Sequence, residues 1–238
     1  MIKLINDDCL PVLDRLIKLN QKFDAIITDP PYGTTACSWD VVIPFAKLWP
    51  KLEAIRKDWA PVILFGSEPF SSLMRTTNIK NYKYDWVWEK PQGANFLSVK
   101  KVPYKCHEII SVFYDHDYCP QLTKAKPYRK KANGTSGDIT GNVPKTDADN
   151  LGIRYPKSII KFPIPNKAFS KFPTAKPVRL MEYLIRTYTK PGAAVLDFAM
   201  GSGSTGIPCR VLDRDFMGIE KDPEIYALAA ERLNYTGE

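Results

Sequence analysis

Short apolar, β-branched runs alternate with stretches of helical period along most of this chain. That rhythm constrains the fold more than any single residue does. "FDAII" (Phe23 to Ile27), "VILFG" (Val62 to Gly66), "YDWVW" (Tyr84 to Trp88), "EIISVF" (Glu108 to Phe113), "AAVLDF" (Ala193 to Phe198) and "FMGIE" (Phe216 to Glu220) read as strands. Between them, "PVLDRLIKL" places Leu13, Leu16 and Ile17 at helical spacing behind a proline that fits a helix start. Phe45 to Arg56 is helix-like. Met181, Leu184, Ile185 and Tyr188 mark a helix face that Pro191-Gly192 stops. "GSGSTGIPCRVL" reads as a Gly-rich turn into a helix, and "DPEIYALAAERL" as a closing helix. The pattern predicts an α/β fold with a mainly parallel sheet. At 238 residues, 44% of them hydrophobic, the chain suits one ordinary domain with a small insertion.

Three of these strands end on an acid: Asp29, Asp197 and Glu220. In a doubly wound sheet, functional residues gather outside the carboxyl ends of the strands, so the three are expected to share one cleft. The first acid opens "DPPYG", a carboxylate followed by two prolines and an aromatic ring. Asp-Pro is also a common turn signal, and the plain alternative is a strand break with the acid in solvent. The second acid opens "DFAMGSGSTG", whose glycines let the backbone turn sharply and approach a ligand. It is no phosphate-binding P-loop, because no Lys follows the last Gly. Glu220, ending the next strand, is placed to accept hydrogen bonds from ribose hydroxyls, which points to a nucleoside. The alternative is a packing cluster of glycines beside a surface Glu.

The net charge is +8, and its placement matters more than its size. Residues 100–176 hold 15 Lys and Arg against 6 Asp and Glu, and the rest hold 19 against 20. A phosphate backbone is the natural partner of such a field, although a solvated basic insertion would look the same. From Asp115 to about Phe172 periodicity is weak, and "KPYRKKANGTSGDITGNVP" is expected to be mobile or irregular. The five scattered cysteines include no C-x-x-C pair, and only His107 and His116 could join them. No metal site is expected, and buried reduced thiols in a cytoplasmic protein are the better reading. No apolar run is long enough for a membrane span. "MIKLINDDCL" lacks a signal-peptide stretch, so the mature chain is expected to begin there.

Asp29-Pro30-Pro31-Tyr32 together with "DFAMGSGSTG" resembles the S-adenosylmethionine-dependent amino-methyltransferases of DNA, in the motif order of the β class. Phe198, Gly201 and Gly203 match the family's F-x-G-x-G loop with one extra residue before the first Gly. "INDDCLPVL", "WEKP", "HEIISVF" and "FPTAKPVRLMEYLI" resemble further family segments in sequence order. Phe172 departs from the His that usually opens the last of these. The resemblance implies a circularly permuted Rossmann-like methyltransferase with a mixed, mainly parallel sheet and a small basic recognition insertion. The implied division is a catalytic half over 1–114, a target-recognition insertion over 115–170, and a cofactor half over 171–238.

By the same resemblance, Asp29, Pro30, Pro31 and Tyr32 are the catalytic turn. Asp8, Asp29, Lys176, Asp197, Phe198, Gly201, Ser202, Gly203, Thr205 and Glu220 hold S-adenosyl-L-methionine. Trp39 is expected at the base pocket, and the excess charge of the insertion, rather than the resemblance, assigns Arg129, Lys130 and Lys131 to DNA phosphates, with a solvated loop as the alternative; no metal is expected. Trp39 could equally be a packing residue, Lys176 an exposed one, and His107 a core or structural residue rather than a base. The implied reaction is methyl transfer to N6 of a flipped adenine in double-stranded DNA, at a specific site. An acid in the first motif position favours adenine, because family members acting on N4 of cytosine more often carry Ser there. An N4-cytosine enzyme, an RNA amino-methyltransferase and a catalytically dead DNA-binding module remain alternatives. A homodimer and a cognate restriction enzyme are left open as partners.

Overall fold

A computed structural model describes residues 1–35, 37, 40–131, 147–165 and 175–237. In chain order the elements are β1 (Ile2–Asn6), α1 (Cys9–Lys18), β2 (Ala25–Thr28), α2 (Phe45–Ile55), β3 (Val62–Gly66), α3 (Phe70–Thr77), β4 (Tyr82–Glu89) and β5 (His107–Phe113). There follow β6 (Thr123–Lys124), β7 (Tyr128–Lys130), β8 (Ala148–Asn150), β9 (Ile153–Arg154) and β10 (Ile159–Lys161). The chain closes with α4 (Val178–Tyr188), β11 (Ala194–Asp197), α5 (Gly206–Val211), β12 (Asp215–Glu220) and α6 (Pro223–Leu233). They form two compact units: Met1–Cys119 with Ser158–Glu238, and Pro120–Lys157.

The larger unit is built on one eight-stranded sheet of order β1-β12-β11-β2-β3-β5-β4-β10. All neighbours run parallel except the β3–β5 and β5–β4 pairs. Both faces are covered, as the near-continuous apolar strands require. Strand residues alternate between the two cores. Ile26, Val62, Leu64 and Leu196 pack with α1, α2 and α3 on one face. Ala25, Ile27, Ile63, Phe65 and Val195 pack with α4 and with Cys209, Ala229 and Leu233 from α5 and α6 on the other.

Several sequence expectations are corrected here. Asp8 caps α1 by accepting the Leu10 N–H at 2.9 Å, so this helix starts at Cys9 and buries Cys9, Val12, Leu13 and Leu16. Ile17, expected on that face, is exposed. The first residues form an edge strand, β1, paired with β12. None of the five cysteines forms a disulfide, but only Cys9 and Cys209 are buried; Cys37, Cys106 and Cys119 are exposed, because they sit in loops rather than on packed faces.

In the smaller unit, β6 pairs with β9 and β7 with β8, all antiparallel. Tyr128, Arg129 and Lys130, taken as part of an irregular stretch, are thus strand residues. Cross-strand pairing and the Arg154 guanidinium, 4.7 Å over the Tyr128 ring, supply order that apolar periodicity did not announce. The remainder of "KPYRKKANGTSGDITGNVP" from residue 132 through Pro144 lies outside the described residues, as does Phe172.

Candidate active site

The sheet order sets β12, β11 and β2 side by side, so Glu220, Asp197 and Asp29 emerge at neighbouring carboxyl ends. A cavity of about 530 Å³ opens there, lined by Asp8, Asp29 to Tyr32, Lys176, Asp197 to Ser202, Thr205 and Glu220, among others. One space therefore receives both sequence anchors. Its size is within the usual range for a small-molecule site.

The Gly-rich end is tied internally. Asp197 is buried and accepts from the Thr205 hydroxyl at 2.6 Å and the Ala199 N–H at 3.2 Å. Burial pushes its carboxyl up to about 7, against the pull of those donors. The Phe198 N–H donates to Thr28 Oγ1 at 3.1 Å, which locks β11 to the end of β2. Gly201, at φ +51°, turns its N–H to Glu220 Oε2 at 3.0 Å, while the Asp222 N–H holds Oε1 at 2.9 Å. Burial raises the Glu220 pKa despite these amides. Ser202 is buried and takes Arg232 on its carbonyl and hydroxyl. Gly203 is not among the cavity-lining residues. A Cβ there would meet Leu233 at 3.0 Å and Ala229 at 3.4 Å, so its lack of a side chain serves packing against α6. Ser204, which the sequence reading did not single out, lines the cavity with a buried hydroxyl that has no partner among the described residues.

The Asp-Pro-Pro-Tyr turn follows β2. Asp29 accepts from the Tyr32 hydroxyl on Oδ1 and from Lys176 on Oδ2. The Tyr32 ring leans on Phe70, centroids 4.9 Å apart. Burial raises the Asp29 pKa, opposed by the Lys176 charge and reinforced by Glu108. Lys176 is not an exposed lysine; its side chain is 11% accessible. Its second acid is Glu108, at 3.3 Å, and Glu108 also pairs with Lys90.

A further acid shapes the turn. Asp40, 7% exposed, accepts the N–H groups of Tyr32 (2.7 Å) and Gly33 (2.8 Å) on one oxygen. Its other oxygen takes the N–H groups of Thr34 (2.9 Å) and Thr35 (2.7 Å) and the Thr35 hydroxyl. Sequence reasoning missed Asp40, Lys90 and Glu108 as site residues. Asp40 stood in "CSWD" beside a more conspicuous Trp, while Lys90 and Glu108 sat inside "WEKP" and "HEIISVF". Trp39 lies outside the described residues. His107 is exposed on β5 rather than in the core. Arg129, Lys130 and Lys131 are exposed in or beside β7, and Arg129 pairs with Asp149 at 3.2 Å. No metal-binding cluster exists among the described residues, and no helix is long and apolar enough to cross a membrane.

Residues 23–231 match the model of a family described as DNA methylase, of N6/N4 type. The type II methyltransferase M.XycI of Xanthomonas campestris pv. cyanopsidis is 33% identical over 149 residues, 63% of this chain and 43% of that protein. The type II methyltransferase M1.MboII of Moraxella bovis is 26% identical over 98% of this chain and 96% of its own length. Among solved structures, the M1.HpyAVI–SAM complex superposes with a TM-score of 0.68 at 25% identity, covering 98% of this chain and all of that one. The matches to the first curated relatives span less than half of those proteins' lengths.

Proposed function

We propose, from the premise that this chain belongs to the DNA methylase family of N6 and N4 amino-methyltransferases, that it transfers the methyl group of S-adenosyl-L-methionine to N6 of an adenine rotated out of double-stranded DNA. The observation that carries this reading is that one cavity lies between the Asp29–Tyr32 turn and the Asp8, Gly201 and Glu220 ends of the sheet. The residues present fit the cofactor. Glu220 keeps acceptor capacity for a ribose diol after taking two amides, Asp8 and the unpartnered Ser204 hydroxyl face the same space, and Phe198, Ile219 and Ile225 supply apolar walls. When bound, S-adenosyl-L-methionine supplies an electrophilic methyl group on a sulfonium sulfur.

The target amino nitrogen is a poor nucleophile, because its lone pair is delocalised into the ring. Asp29 accepts one amino hydrogen and the Pro30 carbonyl the other, which favours a pyramidal nitrogen with its lone pair free. Two prolines fix that geometry with little conformational freedom to lose, and Asp40 holds the next four amides in place. Tyr32 offers its ring to the extruded base, a stack worth on the order of 1–3 kcal/mol. Lys176 reaches the same cavity and could hold the cofactor carboxylate.

A DNA partner is supported by the basic excess of residues 100–176. The acid at the head of the turn favours adenine over cytosine on family tendency. The test is incubation of the protein with labelled cofactor and duplex DNA or RNA, followed by digestion to nucleosides. N6-methyladenine from DNA is expected. N4-methylcytosine as sole product would overturn the adenine assignment, and methylated RNA alone would overturn the DNA assignment. Asp29→Ala is expected to abolish turnover while S-adenosylhomocysteine still binds; a wild type that binds both ligands and never transfers methyl would instead mark a DNA-binding module.

A further inference from the structure

Both oxygens of the Asp29 carboxylate are engaged, Oδ1 by the Tyr32 hydroxyl and Oδ2 by the Lys176 ammonium. Like Glu220, it keeps lone pairs for a further donor, but the ammonium on Oδ2 neutralises the charge that makes it a strong acceptor for a target amino group. The surroundings offer that ammonium another partner. Lys176 Nζ lies 3.3 Å from Glu108 Oε2, a buried atom that accepts no hydrogen bond among the described residues. The other Glu108 oxygen is held by Lys90, whose ammonium also sits 4.8 Å over the Trp88 ring. A buried carboxylate oxygen held only by a long ion pair calls for an explanation. The cation at that distance is the Lys176 ammonium, which also holds Asp29.

We propose that Glu108 is a positioning residue for methyl transfer, which draws the Lys176 ammonium off Asp29 and so frees the catalytic carboxylate to accept the target amino group. This rests on the methyltransferase reading of the site. Lys176 lies within ion-pair distance of both acids and closer to Asp29, and its side chain and that of Glu108 are only 11% and 14% accessible, so water competes weakly for either. Asp29, Glu108, Lys90 and Lys176 balance to zero charge, and movement of Lys176 between the two acids keeps that balance. Burial works against the charge on Glu108, but Lys176 and Lys90 outweigh it and hold its carboxyl below the usual range, so the acceptor stays ionised. Lys90 anchors Glu108 from the end of β4 and leaves Oε2 for Lys176.

The charged and titratable groups facing Asp29 come from every element around it. Tyr32 and Asp40 belong to its own turn, Lys90 follows β4, Glu108 lies on β5, Lys176 precedes α4, and Asp197 ends β11. Removal of the Glu108 charge takes away a like charge that raises the Asp29 pKa and leaves Lys176 on Asp29 permanently. Both changes lower that pKa.

The test compares wild type, Glu108→Gln and Glu108→Asp with labelled cofactor and the duplex that wild type methylates. Glu108→Gln keeps the shape and removes the pull on Lys176. It is expected to lower kcat on the order of 10- to 100-fold at saturating ligands, while S-adenosylhomocysteine affinity stays within about threefold and the acid limb of the kcat–pH profile moves to lower pH. Glu108→Asp is expected to regain part of the rate. A kcat within about twofold of wild type, an unmoved acid limb, or a joint loss of kcat, cofactor affinity and melting temperature would overturn the proposal while the methyltransferase reading stands on wild-type turnover. No transfer by wild type on any duplex would overturn both.

Discussion

Asp40→Asn separates the shape of the Asp-Pro-Pro-Tyr turn from its proposed chemistry. In wild type, one Asp40 oxygen holds the Tyr32 and Gly33 amides, and the other holds the Thr34 and Thr35 amides with the Thr35 hydroxyl. An Asn side chain keeps one carbonyl oxygen and turns an NH₂ donor toward the second pair of donors. Two backbone N–H groups then lose their acceptor. Thr34 and Thr35 are exposed enough for water to help, so the low end of the usual range applies, ~1 kcal/mol each and ~2 kcal/mol in all. If that strain is released by movement of the turn, Asp29 and Pro30 leave their working geometry, and a shift of that kind costs on the order of 30- to 100-fold in rate. Single-turnover methyl transfer measures the loss directly. Calorimetry with S-adenosylhomocysteine checks that the proposed cofactor floor of Gly201 and Glu220 is intact. A variant with wild-type rate would refute the claim that these four amides position the catalytic turn. There is also a pH consequence. Burial of Asp40 is outweighed by the Thr35 hydroxyl and the amides of Gly33, Thr35 and Tyr32, which hold its carboxyl below the usual range. The stabilisation is therefore complete above the ordinary Asp pKa and is lost as pH falls through the lower folded value.

Glu220→Ala is expected to weaken S-adenosylhomocysteine binding by ~1–3 kcal/mol in calorimetry, because ribose hydroxyls and the Gly201 amide lose their acceptor; unchanged affinity would remove Glu220 from the cofactor site. Asp197, pushed up to about 7, retains a proton in the folded state that the unfolded chain releases near the ordinary Asp pKa. Wild-type stability should therefore fall as pH rises from about 4 to about 7, by up to ~1.4 kcal/mol per unit from this group, and Asp197→Asn should flatten that slope in urea melts. Neutralising Arg129, Lys130 and Lys131 together should flatten the log–log salt dependence of duplex affinity by up to roughly 3 units, at about 0.9 per lost phosphate contact. An unchanged slope would take this strand out of the DNA interface.

The site was legible in the sequence wherever a strand pattern and a charged residue coincided. Asp29, Asp197 and Glu220 each follow a run of apolar residues, and strand ends in a parallel sheet converge without further information. The helix face of Met181, Leu184, Ile185 and Tyr188 was legible for the same reason, since all four are buried. What stayed hidden depended on partners far along the chain. Lys176 was expected at the cofactor, but its pairing with Asp29 stayed hidden because nothing local shows a carboxylate 147 residues away. Gly203 looked like a ligand contact, but its neighbours Ala229 and Leu233 belong to the last helix. Strand β1 has half-buried positions and one fully buried Leu4, too weak a signal to stand out before its pairing with β12 is known. Strands β6 to β9 are two or three residues long and carry no readable period.

The strand order also imposes a schedule on the newborn chain. Strand β2, which leads into the Asp-Pro-Pro-Tyr turn, can pair with β3 soon after synthesis, but its other neighbour, β11, is made only after β10, and the partner of β1 is later still. Pairings this distant in sequence form slowly and late. Until then the Asp-Pro-Pro-Tyr turn stands beside a gap where the proposed cofactor floor will be, and β1 waits as an open edge that invites wrong partners. On the proposed function, methyl transfer has to wait until β11 and β12 zip into place between β2 and β1.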